Sequence, residues 1–119
     1  MSHNHLLDRI YHKDNYNCVH FVNEAAMDLY GIDRSEALEP FMRAISNREF
    51  LPSKMRMLDF LPMPKEGCVV AFHPIDRNNG PHVGLYRMGK VLHIIDSGVH
   101  WMPIEVVKRM GFNRVSYYD

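Results

Sequence analysis

The 119-residue chain reads as a single α+β domain spanning residues 1–119, with helices first and an antiparallel sheet after them. Three observations predict this. Cys18, Phe21, Val22, Ala25, Ala26 and Leu29 recur at helical spacing and form one apolar stripe. From Gly67 onward the pattern changes to β-branched runs bounded by turn formers. Between His82 and Ile95 two such runs flank Met88-Gly89, as in a hairpin.

The elements follow in order. The first helix starts at Cys18, with Asn17 or Asp14 as its cap, and stops at Gly31, where a left-handed C-terminal cap belongs. Asp33 with Glu36 resembles a capping box opening a second, shorter helical region. Pro40 breaks or restarts that region and leaves Phe41, Met42 and Ile45 as its apolar contacts. Residues 51–66 carry Pro52, Pro62 and Pro64 and read as an irregular connection with one helical turn at most. Gly67–His73 is a strand, 76–81 a loop, and 82–87 pairs with 90–95. Residues 103–110 are expected to be a helix with Pro103 at its first position, and 114–118 a last strand.

Apolar residues make up 46% and charged residues 24%, as in ordinary globular domains. Formal net charge is zero and the basic residues are scattered, so neither nucleic acid nor an anionic membrane is an expected partner. No run approaches the roughly 18 apolar residues that span a bilayer. The first residues hold no apolar core of a secretory signal, so synthesis in the cytoplasm is expected. Nine methionines are expected to fill gaps in a small core. No cofactor is expected, since a glycine-rich phosphate loop is missing. Cys18, His73, His82 and His93 have zinc-ligand chemistry, but no Cys-x-x-Cys or His-x-x-x-His pair supports a metal. His3 and His5 are expected in a solvated, disordered N-terminus, and His12 and His20 facing solvent.

The residues with catalytic chemistry are Cys18 and His82. A thiol in the first turn of a helix faces free N–H groups and the positive end of the helix dipole, both of which favour a thiolate. A histidine at the head of a strand can serve as its base, because the fold and not the sequence brings such pairs together. A third group must orient that imidazole. With Met88-Gly89 as the turn, His93 faces Gly84 and lies roughly 7–8 Å from His82 on the same face. With Gly89-Lys90 as the turn, His93 moves out of reach and Asp96 takes its place. The pairing of 67–73 with 82–87 holds Cys68 away from His82, so Cys18 and Cys68 are expected to stay unbridged.

Four segments carry a family resemblance: Asn17-Cys18-Val19-His20-Phe21-Val22, Pro64-Lys65-Glu66-Gly67-Cys68-Val69-Val70-Ala71-Phe72, His82-Val83-Gly84-Leu85-Tyr86, and His93. In this order they resemble the NlpC-type cell-wall cysteine endopeptidases, over about residues 11–97. That family shows an Asp-Cys-Ser-Gly-Phe-Val-like helix start, a Pro-x-Gly-Asp-Leu-Val-Phe-Phe-like strand and a His-Val-Gly-Ile-Tyr-like strand. A third polar residue, often His, follows. Here Val19-His20 stands for Ser-Gly and Cys68 for the strand aspartate. The family's Tyr-x-Trp-Gly-Gly-like stretch is missing as such, with Tyr11 the nearest counterpart. Variants without Ser-Gly look like those of bacteriophage tail tips.

The resemblance implies a papain-like fold, N-terminal helices packed on an antiparallel sheet. It implies Cys18 as nucleophile, His82 as general base and acid, and His93 as orienting residue. The Cys18 N–H and Tyr11 hydroxyl would form the oxyanion hole. The implied substrate is a peptidoglycan stem peptide, cut after a D-glutamyl residue, with other phage tail proteins as partners and a virion as carrier. The rival expectation is a phage-tail structural or assembly protein that keeps the fold without catalysis.

Overall fold

The computed structural model describes residues 2–47, 58–76 and 80–119. The apolar stripe folds as helix α1 (Cys18–Tyr30). Asn17 caps it, its side-chain oxygen accepting from the N–H groups of Val19 at 2.9 Å and His20 at 3.4 Å. His20 Nδ1 in turn accepts from the Asn17 N–H at 3.1 Å, so a histidine fills the place that Glu or Gln usually takes in a capping box. His20 is half-buried and stacks on Tyr16, instead of facing solvent. Gly31 closes the helix at φ 67°, a left-handed conformation that costs glycine little.

Helix α2 (Glu39–Asn47) starts later than the Asp33–Glu36 pattern implied. The Asp33 carboxylate accepts from both the N–H and the hydroxyl of Ser35, and the Leu38 N–H reaches the Arg34 carbonyl at 2.9 Å, so a capped turn opens at Asp33 and the regular helix follows it. Pro40 lies in the first helical turn, where its missing N–H costs nothing, and Phe41 is fully buried. The strands are β1 (Phe60–Leu61), β2 (Val69–Pro74), β3 (His82–Arg87), β4 (Lys90–Ile95), β5 (Gly98–Met102) and β6 (Phe112–Tyr118). They form one antiparallel sheet in the order β1-β6-β2-β3-β4-β5. Helix α3 (Ile104–Lys108) lies between β5 and β6 in sequence, with Pro103 as its N-cap and not its first residue.

Period-two alternation divides the sheet between two apolar layers. On one face Phe21, Val22 and Ala25 of α1 and Phe41 of α2 meet Val69, Ala71, Val83, Leu85, Leu92 and Ile94. On the other, Val107 of α3 packs with Cys68, Val70, Phe72 and Val91. The expected arrangement of N-terminal helices on an antiparallel sheet is therefore present. Strands β1 and β5 are additions to it. Both are edge strands without a fully buried residue, so neither carries the apolar run that marks a strand in sequence.

Other expectations change as well. None of the described methionines is buried: Met27, Met63, Met88 and Met110 are exposed, and Met42 and Met102 half-buried. Branched and aromatic side chains on the stripe and strands fill the core, whereas Met27 lies off the stripe and Met88 in a turn. His3 is not loose; its ring packs edge-on against Trp101 at 5.0 Å and accepts from Arg87 Nε at 3.0 Å. His12 is exposed, as expected. The helical turn expected within 51–66 falls largely outside the described residues, as does the middle of the 76–81 loop. Cys18 and Cys68 are both buried and both free. Among the described residues no helix is long and apolar enough to cross a membrane.

Candidate functional site

Met88 at φ 49° and Gly89 at φ 84° make the β3–β4 connection a two-residue turn of the left-handed kind that matches strand twist. Its register pairs Arg87 with Lys90, Tyr86 with Val91 and Leu85 with Leu92. The next step sets Gly84 beside His93: a Cβ added to Gly84 would lie 3.3 Å from His93 Cβ and would collide with Val91 Cγ1. Gly84 is thus the space through which His93 reaches His82. The two imidazoles meet, His82 Nε2 to His93 Nδ1 at 2.7 Å, with ring planes inclined at 72°. This register rules out the alternative turn, and Asp96 is not the group bonded to His82.

Phe72, paired with His82 across β2 and β3, tilts against the His82 ring at 5.9 Å, and Phe112 of β6 stacks on it at 5.7 Å. These contacts hold the ring and keep water from it. The other ring nitrogen, Nδ1, has no hydrogen bond among the described residues. Cys18, brought over the sheet by α1, shares with His82 a cleft of about 440 Å³ that Tyr11, Lys13, Asn17 and Asp96 also line. Cys18, His82 and Tyr11 therefore meet at one cleft, with His93 directly behind His82. No hydrogen bond joins the thiol to the His82 ring.

The electrostatics differ from the acidified thiol expected of a helix start. Burial pushes the Cys18 thiol up to about 11, although the N–H groups of Val83, Val19 and Cys18 itself pull it down. A helix terminus contributes about 0.3–1 kcal/mol, less than one pKa unit, whereas full burial shifts a group by several. Burial also drives His82 down to about 3, with His93 adding to the shift. His93 falls to about 4 through burial, then through His100. At neutral pH the resting site thus holds a neutral thiol and two neutral imidazoles. Burial, then the proximity of Cys18 and Asp96, raises the Tyr11 phenol, which keeps its proton and can donate it in a hydrogen bond.

Among the described residues no group of three or more His, Cys, Asp or Glu side chains could hold a metal ion. His73 turns to Ser116 Oγ at 3.2 Å on the neighbouring strand. Lys13, Asn17 as a cleft residue, and Phe112 escaped the sequence reading. Lys13 and Asn17 had only their closeness to Cys18 to mark them, and Phe112 had no local signal, since strand pairing alone brings it to His82. No protein-family model matches the chain, and no curated protein matches it.

Proposed function

We propose that the protein is a thiol hydrolase of the papain-like NlpC type that cleaves amide bonds in peptidoglycan stem peptides. The observation that carries this reading is the His82–His93 hydrogen bond, set at the wall of the cleft that Cys18 lines from a helix start. With Nε2 of His82 engaged by His93, Nδ1 is the nitrogen left to exchange a proton with the thiol.

Because thiol and imidazole are both neutral at rest, the proton moves when a substrate carbonyl is present to be attacked. Cys18 Sγ bonds to the carbonyl carbon while His82 takes the thiol proton. The carbonyl oxygen gains the negative charge, which the Cys18 N–H and the Tyr11 hydroxyl receive. The C–N bond then breaks, and His82 returns the proton to the leaving amine. Water, deprotonated by His82, splits the thioester and frees Cys18. The D-glutamyl bond and a virion as carrier follow from the family resemblance alone.

A second reading is a phage-tail structural protein that has kept the fold. The raised thiol and lowered imidazole favour it, since both groups rest in their unreactive forms. The purified chain, incubated with a stem peptide containing a D-glutamyl–diamino acid bond, should release the new amine. Cys18→Ala should abolish release and His82→Ala should slow it at least about a hundredfold. No release from such stem peptides by the purified chain would overturn the hydrolase reading.

A further inference from the structure

Residues 10–15, which carry Tyr11 and Lys13 to the cleft, have little packing of their own: Ile10 is 82% exposed, His12, Lys13, Asp14 and Asn15 are exposed, and Tyr11 alone is half-buried. Polar bonds hold this loop instead. His12 and Tyr16 exchange backbone hydrogen bonds at 3.0 and 2.8 Å, and His12 Nδ1 accepts from the N–H groups of Asp14 and Asn15. One carboxylate of α1 then grips both ends. Glu24 accepts a side-on pair of bonds from Arg9, Nε to Oε1 and Nη2 to Oε2, both at 2.9 Å, and its Oε1 also accepts from the Tyr16 hydroxyl. Glu24 itself lies six residues along the helix from Cys18, about 9 Å at the usual rise, and does not line the cleft.

We propose that Glu24 is a positioning residue for Tyr11: by holding Arg9 and Tyr16 against α1 it fixes the loop between them, and so sets the phenol at the cleft that Cys18 lines. The helix is the common reference. Cys18 and Glu24 stand on the same element, so a loop tied to Glu24 keeps its distance from the thiol. A planar guanidinium bonded through two nitrogens resists pivoting, which gives the tie a direction as well as a length. The Asn17 side chain adds a second hold, donating to the Lys13 carbonyl at 3.0 Å. Asn17 also caps α1, whereas Glu24 sits in the middle of the helix and can be replaced without touching its ends. An oxyanion donor works by being in place before the charge develops, and a loop without apolar anchors loses that order when its clamp is cut.

The effect on turnover rests on the hydrolase reading with Tyr11 as oxyanion donor, but the placement of Tyr11 can be read without turnover. The full chain with 3-fluorotyrosine in place of Tyr11 should give one fluorine resonance away from that of the free amino acid, and Glu24→Ala should move it to the free value. In stem-peptide hydrolysis Glu24→Ala should lower kcat about tenfold at unchanged KM, and Tyr11→Phe about a hundredfold. Because Glu24 acts through Tyr11, adding Glu24→Ala to Tyr11→Phe should lower kcat by no more than about twofold further. Glu24→Gln, which keeps one acceptor oxygen for Arg9 and Tyr16, should fall between the Ala variant and the native chain in both readings. A fluorine resonance indifferent to Glu24→Ala, or an equal loss of kcat with and without the Tyr11 hydroxyl, would overturn the proposal. If the Ala variant does not fold, the Gln variant is held to the same two measures. A resonance that moves as expected in a chain that hydrolyses nothing would overturn the hydrolase reading and leave Glu24 in its role.

Discussion

At the scale of the residue, the two central imidazoles make the fold sensitive to acid. An unfolded histidine titrates near 6.5, whereas burial holds folded His82 near 3 and His93 near 4. Above pH 6.5 both rings are neutral in both states, and their contribution to stability is whole. As pH falls through 6.5 the unfolded chain binds protons that the folded chain refuses, so stability is lost down to about pH 4. Each ring adds a slope of up to about 1.4 kcal/mol per pH unit. The carboxylates of Glu24, Asp33 and Asp119, held low by hydrogen bonds to Arg9, Ser35 and Lys65 respectively, lose their contributions only below about pH 4.5. The melting temperature should therefore drop steadily between pH 6.5 and 4.5. A His82→Phe/His93→Leu double variant should flatten that window, and an unchanged slope would assign the acid sensitivity to other groups.

At the scale of the element, the β3–β4 hairpin builds the histidine pair, and its glycines have different duties. Gly89 has open space around it and is needed only for its φ of 84°. Gly84 has ordinary backbone geometry and is needed for room, because Val91 and His93 pass where its side chain would be. Gly84→Ala should cost about 1–3 kcal/mol by overpacking and should break the His82–His93 hydrogen bond. Gly89→Ala should cost about 1 kcal/mol and leave the pair intact. Thermal unfolding together with imidazole spectra separates the two, and an unperturbed histidine pair in Gly84→Ala would show that the strands can yield there. This much was legible in the chain: the Met88-Gly89 turn signal sets the register, and the register brings His93 to His82.

At the scale of the molecule, Arg34 joins distant parts of the chain. It is buried, and its guanidinium donates to the Gly67 carbonyl at 3.0 Å and to the Asp119 carboxylate at 2.8 Å, while its Nε has no partner. The approach to α2, the turn before β2 and the end of β6 thus meet at one cation. Removing only the carboxylate leaves a buried charge under-satisfied, which costs more than removing both partners. Asp119→Ala should destabilise the fold by roughly 1–3 kcal/mol, and the double variant Arg34→Met/Asp119→Ala should recover part of that loss in denaturant unfolding. A double variant less stable than Asp119→Ala would mean that the bond from Arg34 to Gly67 outweighs the desolvation of its charge. Nothing in the sequence marked this tie, because Arg34 and Asp119 lie 85 residues apart.

Periodicity and turn chemistry, which are local, determined α1, its Gly31 stop, strands β2, β3, β4 and β6, and the pairing that leads from Cys18, His82 and His93 to one site. Long-range packing decided the rest. Edge strands β1 and β5 exist because neighbouring strands offer them hydrogen bonds, not because their residues repeat an apolar pattern. Phe112 reaches the histidine pair only through strand pairing. The ionisation of the site was decided in the same way. The sequence put the Cys18 thiol at a helix start, which favours the thiolate, but only the folded chain could surround it with the β3 and β4 layer. Removal of water is a property of that whole layer, and it outweighs the few partial charges at the end of one helix.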